Sequence, residues 1–212
     1  MAHPFRGTLA FSLIELLAVI AIIAIMLTLL APAVGNMSST AGRKGAVNIL
    51  MNTFEQARAA AITSSSDVYV IFYRRVFPNK DRIMVIQERT DLDTTQPYEQ
   101  LSKWIDLPKG VILYDSKAAD ILDSSKSLSD IGIDQNRIPG NLTPAANEKL
   151  NAIKYNSVGG VSSPSGNLFL YVSQGVRGTD GIETITQTDT GIFEMISLRR
   201  FTGRASLDVS TL

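Results

Sequence analysis

Between Leu16 and Ala31 the chain carries no charge, and Thr28 is its only weakly polar residue. A run of this kind has few places to go: a membrane, a protein core, or a cleaved signal. Taken from Phe11 to Val34 it covers 24 residues, about 36 Å of helix at ~1.5 Å per residue. That length suffices for a bilayer core of roughly 30 Å, so the expectation is a membrane helix over 11–34. Glu15 stands at its front edge. An acid at the centre of such a helix costs about 2.5–3.5 kcal/mol, whereas one near the interface stays hydrated. A local explanation is a capping box, with Ser12 three residues before Glu15 and an apolar run following. Two rivals share the same residues. Leu16 to Leu30 fits a signal-peptide core, and Ala31-Pro32-Ala33 fits an A-x-A cleavage site, which would release a soluble secreted binding protein after Ala33. Against this, an acid and not a base precedes the apolar core. The other rival is an uncleaved single-pass anchor.

Chemistry is bounded by what is missing. There is no cysteine, which excludes disulfides, thiolate metal sites and a cysteine nucleophile. His3 is the only histidine. No cofactor or metal is expected, and a catalytic role starts from a weak position, because His carries so much general acid–base work. Twenty basic and twenty acidic residues balance to zero with no long run of either sign. Nothing therefore suggests a nucleic-acid partner.

Downstream, apolar residues recur at Val47, Leu50, Met51, Phe54, Ala57, Ala61 and Ile62. Steps of three and four predict an amphipathic helix over roughly Arg43 to Thr63. It either continues the membrane span and packs on a sheet, or stands alone on the surface of the head. Ser64-Ser65-Ser66-Asp67 ends it. Val68 to Tyr73 and Arg82 to Glu88 are rich in β-branched and aromatic residues, with Pro78-Asn79-Lys80-Asp81 as turn chemistry between them, which predicts a hairpin. Further strands are expected at Val111 to Tyr114, Asn167 to Val172, Gly191 to Phe201 and Ala205 to Val209, with Thr202-Gly203-Arg204 turning between the last two. Asp115 to Leu150 is polar and reads as a long irregular insertion with one short helix.

The string A-F-S-L-I-E-L-L at Ala10 to Leu17 resembles the prepilin signature, a small residue, Phe, and an acid at the fifth mature position. The resemblance implies that prepilin peptidase cuts between Ala10 and Phe11 and methylates the Phe11 amine. It also implies that Glu15 pairs with the N-terminal amine of a neighbouring subunit, and that Pro32 sits where such helices often carry proline. The family usually has Gly before the cut, where this chain has Ala10. Removing the leader would take His3 with it. The order of Gln56-Ala57-Arg58, Ala60-Ala61, Val68 and Val70, Leu107-Pro108-Lys109-Gly110-Val111 and Thr202-Gly203-Arg204 is similar to the H subfamily of minor pseudopilins. A fainter likeness is to the D member of the Verru_Chthon cassette of prepilin-like proteins.

The resemblance implies an α+β, pilin-like fold, in which a long hydrophobic N-terminal helix continues into an amphipathic helix packed on an antiparallel β-sheet head. Its segments would be a leader over 1–10, a transmembrane or filament-core helix over 11–34, and an extracytoplasmic head over 35–212. The implied role is structural and non-enzymatic: a subunit of a type II secretion pseudopilus or related type IV filament, or else a minor type IV pilin for adhesion, motility or DNA uptake. Implied partners are prepilin peptidase, other pilin or pseudopilin subunits, the inner membrane and exported cargo. The implied location is a single-pass inner-membrane protein, N-terminus cytoplasmic and head periplasmic, that assembles into a filament.

Three weaker candidates lie in the head. Asp180, Glu183 and Asp189, in a Gly/Thr-rich stretch, offer oxygen ligands for Ca²⁺, but their spacing matches no EF-hand loop and a solvated hairpin loop is preferred. Gly175-Val176-Arg177-Gly178 completes neither a dinucleotide fingerprint nor a P-loop. Arg199-Arg200 reads as an exposed strand end that acids of a neighbouring subunit could meet. Trp104 and Tyr114 are expected in core packing, with a shared contact patch as the alternative.

Overall fold

The computed structural model describes residues 13–74, 80–89, 96–114, 128, 133–134, 137–139, 149–163, 168–178, 183–185 and 192–211; side chains are described throughout these except at 29–40, 149, 177, 183–185, 192 and 209–211. The chain forms two compact units, Met1–Thr40 and Ala41–Leu212. One helix, α1 (Leu13–Ser64), contributes to both.

In the first unit α1 is apolar on every side. Leu13, Ile14, Leu16, Leu17, Val19, Ile20, Ile22, Ile23, Ile25, Met26 and Leu27 are all exposed. The membrane-length helix expected over 11–34 is corrected here: among the described residues, no helix is long and apolar enough to cross a membrane. From Ala41 onward α1 is one-sided, with Lys44, Asn48, Asn52 and Glu55 exposed. The expected pilin-like fold, with its long hydrophobic helix, is corrected accordingly. The second unit is α+β with antiparallel sheets.

In that unit Ala46, Val47, Leu50, Phe54, Ala57 and Ala61 form the buried face of α1. Met51 is only partly buried, and Ile62 remains 44% exposed. The helix ends at Ser64; Ser65 takes φ 53° and the Ser64 hydroxyl donates back to the Ala60 carbonyl at 2.8 Å.

Among the described residues eleven strands follow: β1 (Val68–Arg74), β2 (Arg82–Glu88), β3 (Tyr98–Gln100), β4 (Ile105–Asp106), β5 (Val111–Tyr114), β6 (Lys149–Tyr155), β7 (Val161–Ser163), β8 (Phe169–Arg177), β9 (Glu183–Ile185), β10 (Ile192–Leu198) and β11 (Ala205–Thr211). They make two sheets, ordered β3-β2-β1-β6-β7 with β4 beside β2, and β11-β10-β8-β5 with β9 beside β8. The expected first hairpin is β1–β2, in register Val70↔Val85 and Phe72↔Ile83. The expected last one is β10–β11, in register Ile196↔Leu207.

Side chains alternate across a strand, so β1 serves two cores. Val68, Val70 and Phe72 face a cluster shared with α1, with Ile83 and Val85 of β2, and with Leu113, Leu170, Val172 and Ile196 of the other sheet. Tyr69, Ile71 and Tyr73 face the opposite way, onto Met84, Ile86, Tyr98, Leu128, Ile133 and Ile138. Leu128, Ile133 and Ile138 come from the 115–150 region expected to be polar and irregular. They cover the outer face of the first sheet, so that all seven residues of β1 are buried. Leaving water contributes about 1.5–3 kcal/mol for each large apolar side chain. The same region also ends in β6, which pairs with β1 along its whole length.

Candidate functional site

Of the residues singled out at the N-terminus, Ala10 and Phe11 lie outside the described residues, as does Ser12. Glu15 is in the first turn of α1 and exposed. Pro32 lies in α1, among positions whose side chains are not described. The helix around Glu15 exposes its large apolar side chains by 45% at Val19 to 82% at Leu13, with no preferred side. A helix apolar all round needs cover all round. Its only carboxylate lies where the free N–H groups of a helix start favour an acid.

In the second unit the buried polar groups tie elements together. Arg43 of α1 pairs with Glu194 of β10 at 3.4 Å, both nearly enclosed. This pair spans 151 positions of sequence. Arg74, at the end of β1, donates to Asn151 of β6 at 3.0 Å. The Asp81 carboxylate accepts the Leu113 N–H at 2.8 Å, and its carbonyl accepts the Leu107 N–H at 2.9 Å. One buried acid thus joins the start of β2 to β5. Sequence reading missed all of these. Arg74 and Asp81 stand on either side of the turn of a hairpin read only for its strands and turn, and nothing local marks the partners.

Electrostatic perturbation follows the same pattern. Burial pushes the Tyr69 phenol far up, with Glu88, Tyr98 and Asp67 adding to it. Burial likewise raises Tyr155 and Tyr98. These phenols stay protonated and act as donors: Tyr69 to Glu88 at 3.3 Å, Tyr155 to the Gly203 carbonyl at 3.3 Å. Partial burial works against the Asp106 carboxylate, but Arg82 and Lys80 outweigh it and hold the group below its usual range.

The weaker candidates resolve differently. Asp180 and Asp189 lie outside the described residues. Glu183 opens β9, opposite Arg177 of β8, in a hairpin. Among the described residues no group of three His, Cys, Asp or Glu side chains is placed to hold a metal. Trp104 and Tyr114 separate: Trp104 meets Tyr73 edge-on at 5.9 Å, while Tyr114 stacks on Phe193 at 5.0 Å. Arg199 and Arg200 are exposed, as expected. A polar cleft of about 270 Å³ lies at the end of α1, lined by Ser65, Ser66, Asp67, Glu88, Arg89 and Ser157. No family model, curated protein or solved structure matches this chain.

Proposed function

We propose that the protein is a structural subunit, a minor pseudopilin of a type II secretion pseudopilus or related type IV filament, processed by prepilin peptidase between Ala10 and Phe11. The observation that carries this reading is the helix from Leu13 to Leu27, apolar on all sides, exposed, and led by a single carboxylate. Helices of other subunits supply the cover it needs. Inside such a bundle a cation beside Glu15 offsets the cost of burying its charge. The methylated amine of Phe11 on a neighbouring subunit is the partner proposed, and pairing it with Glu15 sets the axial register between subunits. The residues from Ala41 onward form the head, which meets other subunits or exported cargo outside the cytoplasm.

Two measurements test this. N-terminal mass analysis of the protein from its native host should find methylated Phe11; an N-terminus at Val34 refutes the reading. Glu15→Gln should be processed at the normal rate but be captured less in crosslinked filaments. If it enters filaments at the normal level, charge pairing is wrong and Glu15 serves only as a helix cap.

A further inference from the structure

The turn between β10 and β11, Arg199-Arg200-Phe201-Thr202-Gly203-Arg204, is held unusually firmly for a surface turn. Within it, the Gly203 N–H donates to the Arg199 carbonyl at 2.7 Å and the Arg199 N–H to the Arg204 carbonyl at 2.9 Å. Three other elements reach it. Arg58 of α1 donates through Nε to the Thr202 carbonyl at 2.7 Å, Tyr155 of β6 donates to the Gly203 carbonyl, and the Val161 N–H of β7 donates to the Arg200 carbonyl at 2.7 Å. Gly203 takes φ 62° and lies against the Gly159 carbonyl, where no side chain fits.

What this scaffold displays is an aromatic ring in water. Phe201 is 92% exposed, the most exposed large apolar side chain among the described residues. On the adjoining turn Val158 is 76% exposed, and Ile62 beside Gly159 is half-exposed. Arg199, Arg200 and Arg204 share the turn with Phe201; all three are exposed, and among the described residues none pairs with an acid. Between Arg199 and Arg204 opens a cleft of about 360 Å³, also lined by Thr202, Ala205 and Ser206, so two arginines border one space. Fixed backbone, an exposed ring and exposed arginines are the makings of an interface hot spot whose ordering cost is already met in the free protein.

We propose that this turn docks a carboxylate-rich segment of a partner protein, with Phe201 as the apolar anchor and the Arg199–Arg204 cleft as the carboxylate seat. Charge complementarity selects an anionic partner, and a planar guanidinium matches a carboxylate in two-point contact. A protein suits the surface better than the other polyanions. Val158 and Ile62 are aliphatic and offer bases no stacking platform, a single Phe gives no succession of them, and the zero formal charge of the chain exerts no general pull on a polyanion. A membrane surface is met by an extended apolar helix face, which one turn lacks. The inference stands whether or not the chain enters a filament.

The test uses the full-length protein in detergent, titrated with fluorescent peptides: one alternating Glu and Leu, and one of equal charge alternating Glu and Gly. A mixed-sequence oligodeoxynucleotide and phosphatidylglycerol vesicles are titrated in parallel. The Glu/Leu peptide should bind, and the Glu/Gly peptide should bind at least about tenfold more weakly. Phe201→Ala should weaken Glu/Leu binding by a similar factor, and Arg199→Glu with Arg204→Glu should abolish it. Phe201→Ala should leave thermal unfolding unchanged, since the ring packs on little, which separates binding from folding. Equal binding of both peptides, indifference of the Glu/Leu peptide to these variants, or binding confined to the oligonucleotide or vesicles overturns the proposal.

Discussion

Two glycines with positive φ allow the cost of backbone strain to be separated from that of collision. Gly110 takes φ 79° in open space, and an added Cβ would meet nothing within 4 Å. Gly203 takes φ 62°, but an added Cβ would collide with the Gly159 carbonyl and lie 2.8 Å from the Tyr155 ring. Left-handed backbone costs an L-residue about 1–2 kcal/mol, and replacing Gly by Ala returns about 0.4–1 kcal/mol by restricting the unfolded chain. Gly110→Ala should therefore destabilise by at most about 1.5 kcal/mol. Gly203→Ala bears the same strain and must also push the Gly159 turn off the β10–β11 turn. That strains the Arg58 and Tyr155 hydrogen bonds, each worth about 0.5–1.5 kcal/mol. The terms sum to about 1–4.5 kcal/mol with a middle value of about 3, a fall in Tm of roughly 6–12 °C at 2–4 °C per kcal/mol for a chain of this size. Urea unfolding of both variants, followed by circular dichroism in the same detergent, makes the comparison. Equal losses at the two positions would show that the close approach of the two turns is not what holds them.

Ile133→Ala should cost about 2–5 kcal/mol in urea unfolding, because Ile133 is buried against the outer face of the first sheet; a loss under ~0.5 kcal/mol would mean the 115–150 region does not cover that face. Glu194→Ala should destabilise by breaking a nearly enclosed ion pair, and the double variant Arg43→Met with Glu194→Leu should recover most of the loss, since a buried pair is replaced by apolar volume more easily than it is broken; no recovery in a double-mutant cycle would refute pairing. Asp106 has a carboxylate pKa lowered in the folded state. Its contribution is present above the ordinary carboxylate value near ~4 and is lost as pH falls through the lowered one. Asp106→Asn should flatten the stability profile in that acidic window, and an unchanged profile would count against the Arg82 and Lys80 contacts.

What could be read in the sequence was what neighbours along the chain decide. The face of α1 from Val47 to Ala61 and the β1–β2 and β10–β11 hairpins all depend on periodicity and turn residues within a short span. Alternation in V-Y-V-I-F-Y marks a strand, but β1 is apolar on both faces, and that pattern does not say what lies over the second one. Leu128, Ile133 and Ile138 do, from a stretch whose average polarity hid them. β3, β4, β7 and β9 have only two or three residues each, too few for a period to register, and they exist because a longer strand offers them an edge. Glu15 at the head of an apolar run was legible, whereas a helix that crosses a membrane was not to be had from the run's length alone. Arg43 with Glu194, Arg74 with Asn151, and Tyr114 on Phe193 rather than beside Trp104 were settled only by tertiary structure. Burying a charge or seating an aromatic ring depends on which distant strand arrives opposite, and that is a property of the assembled sheets and not of any local stretch.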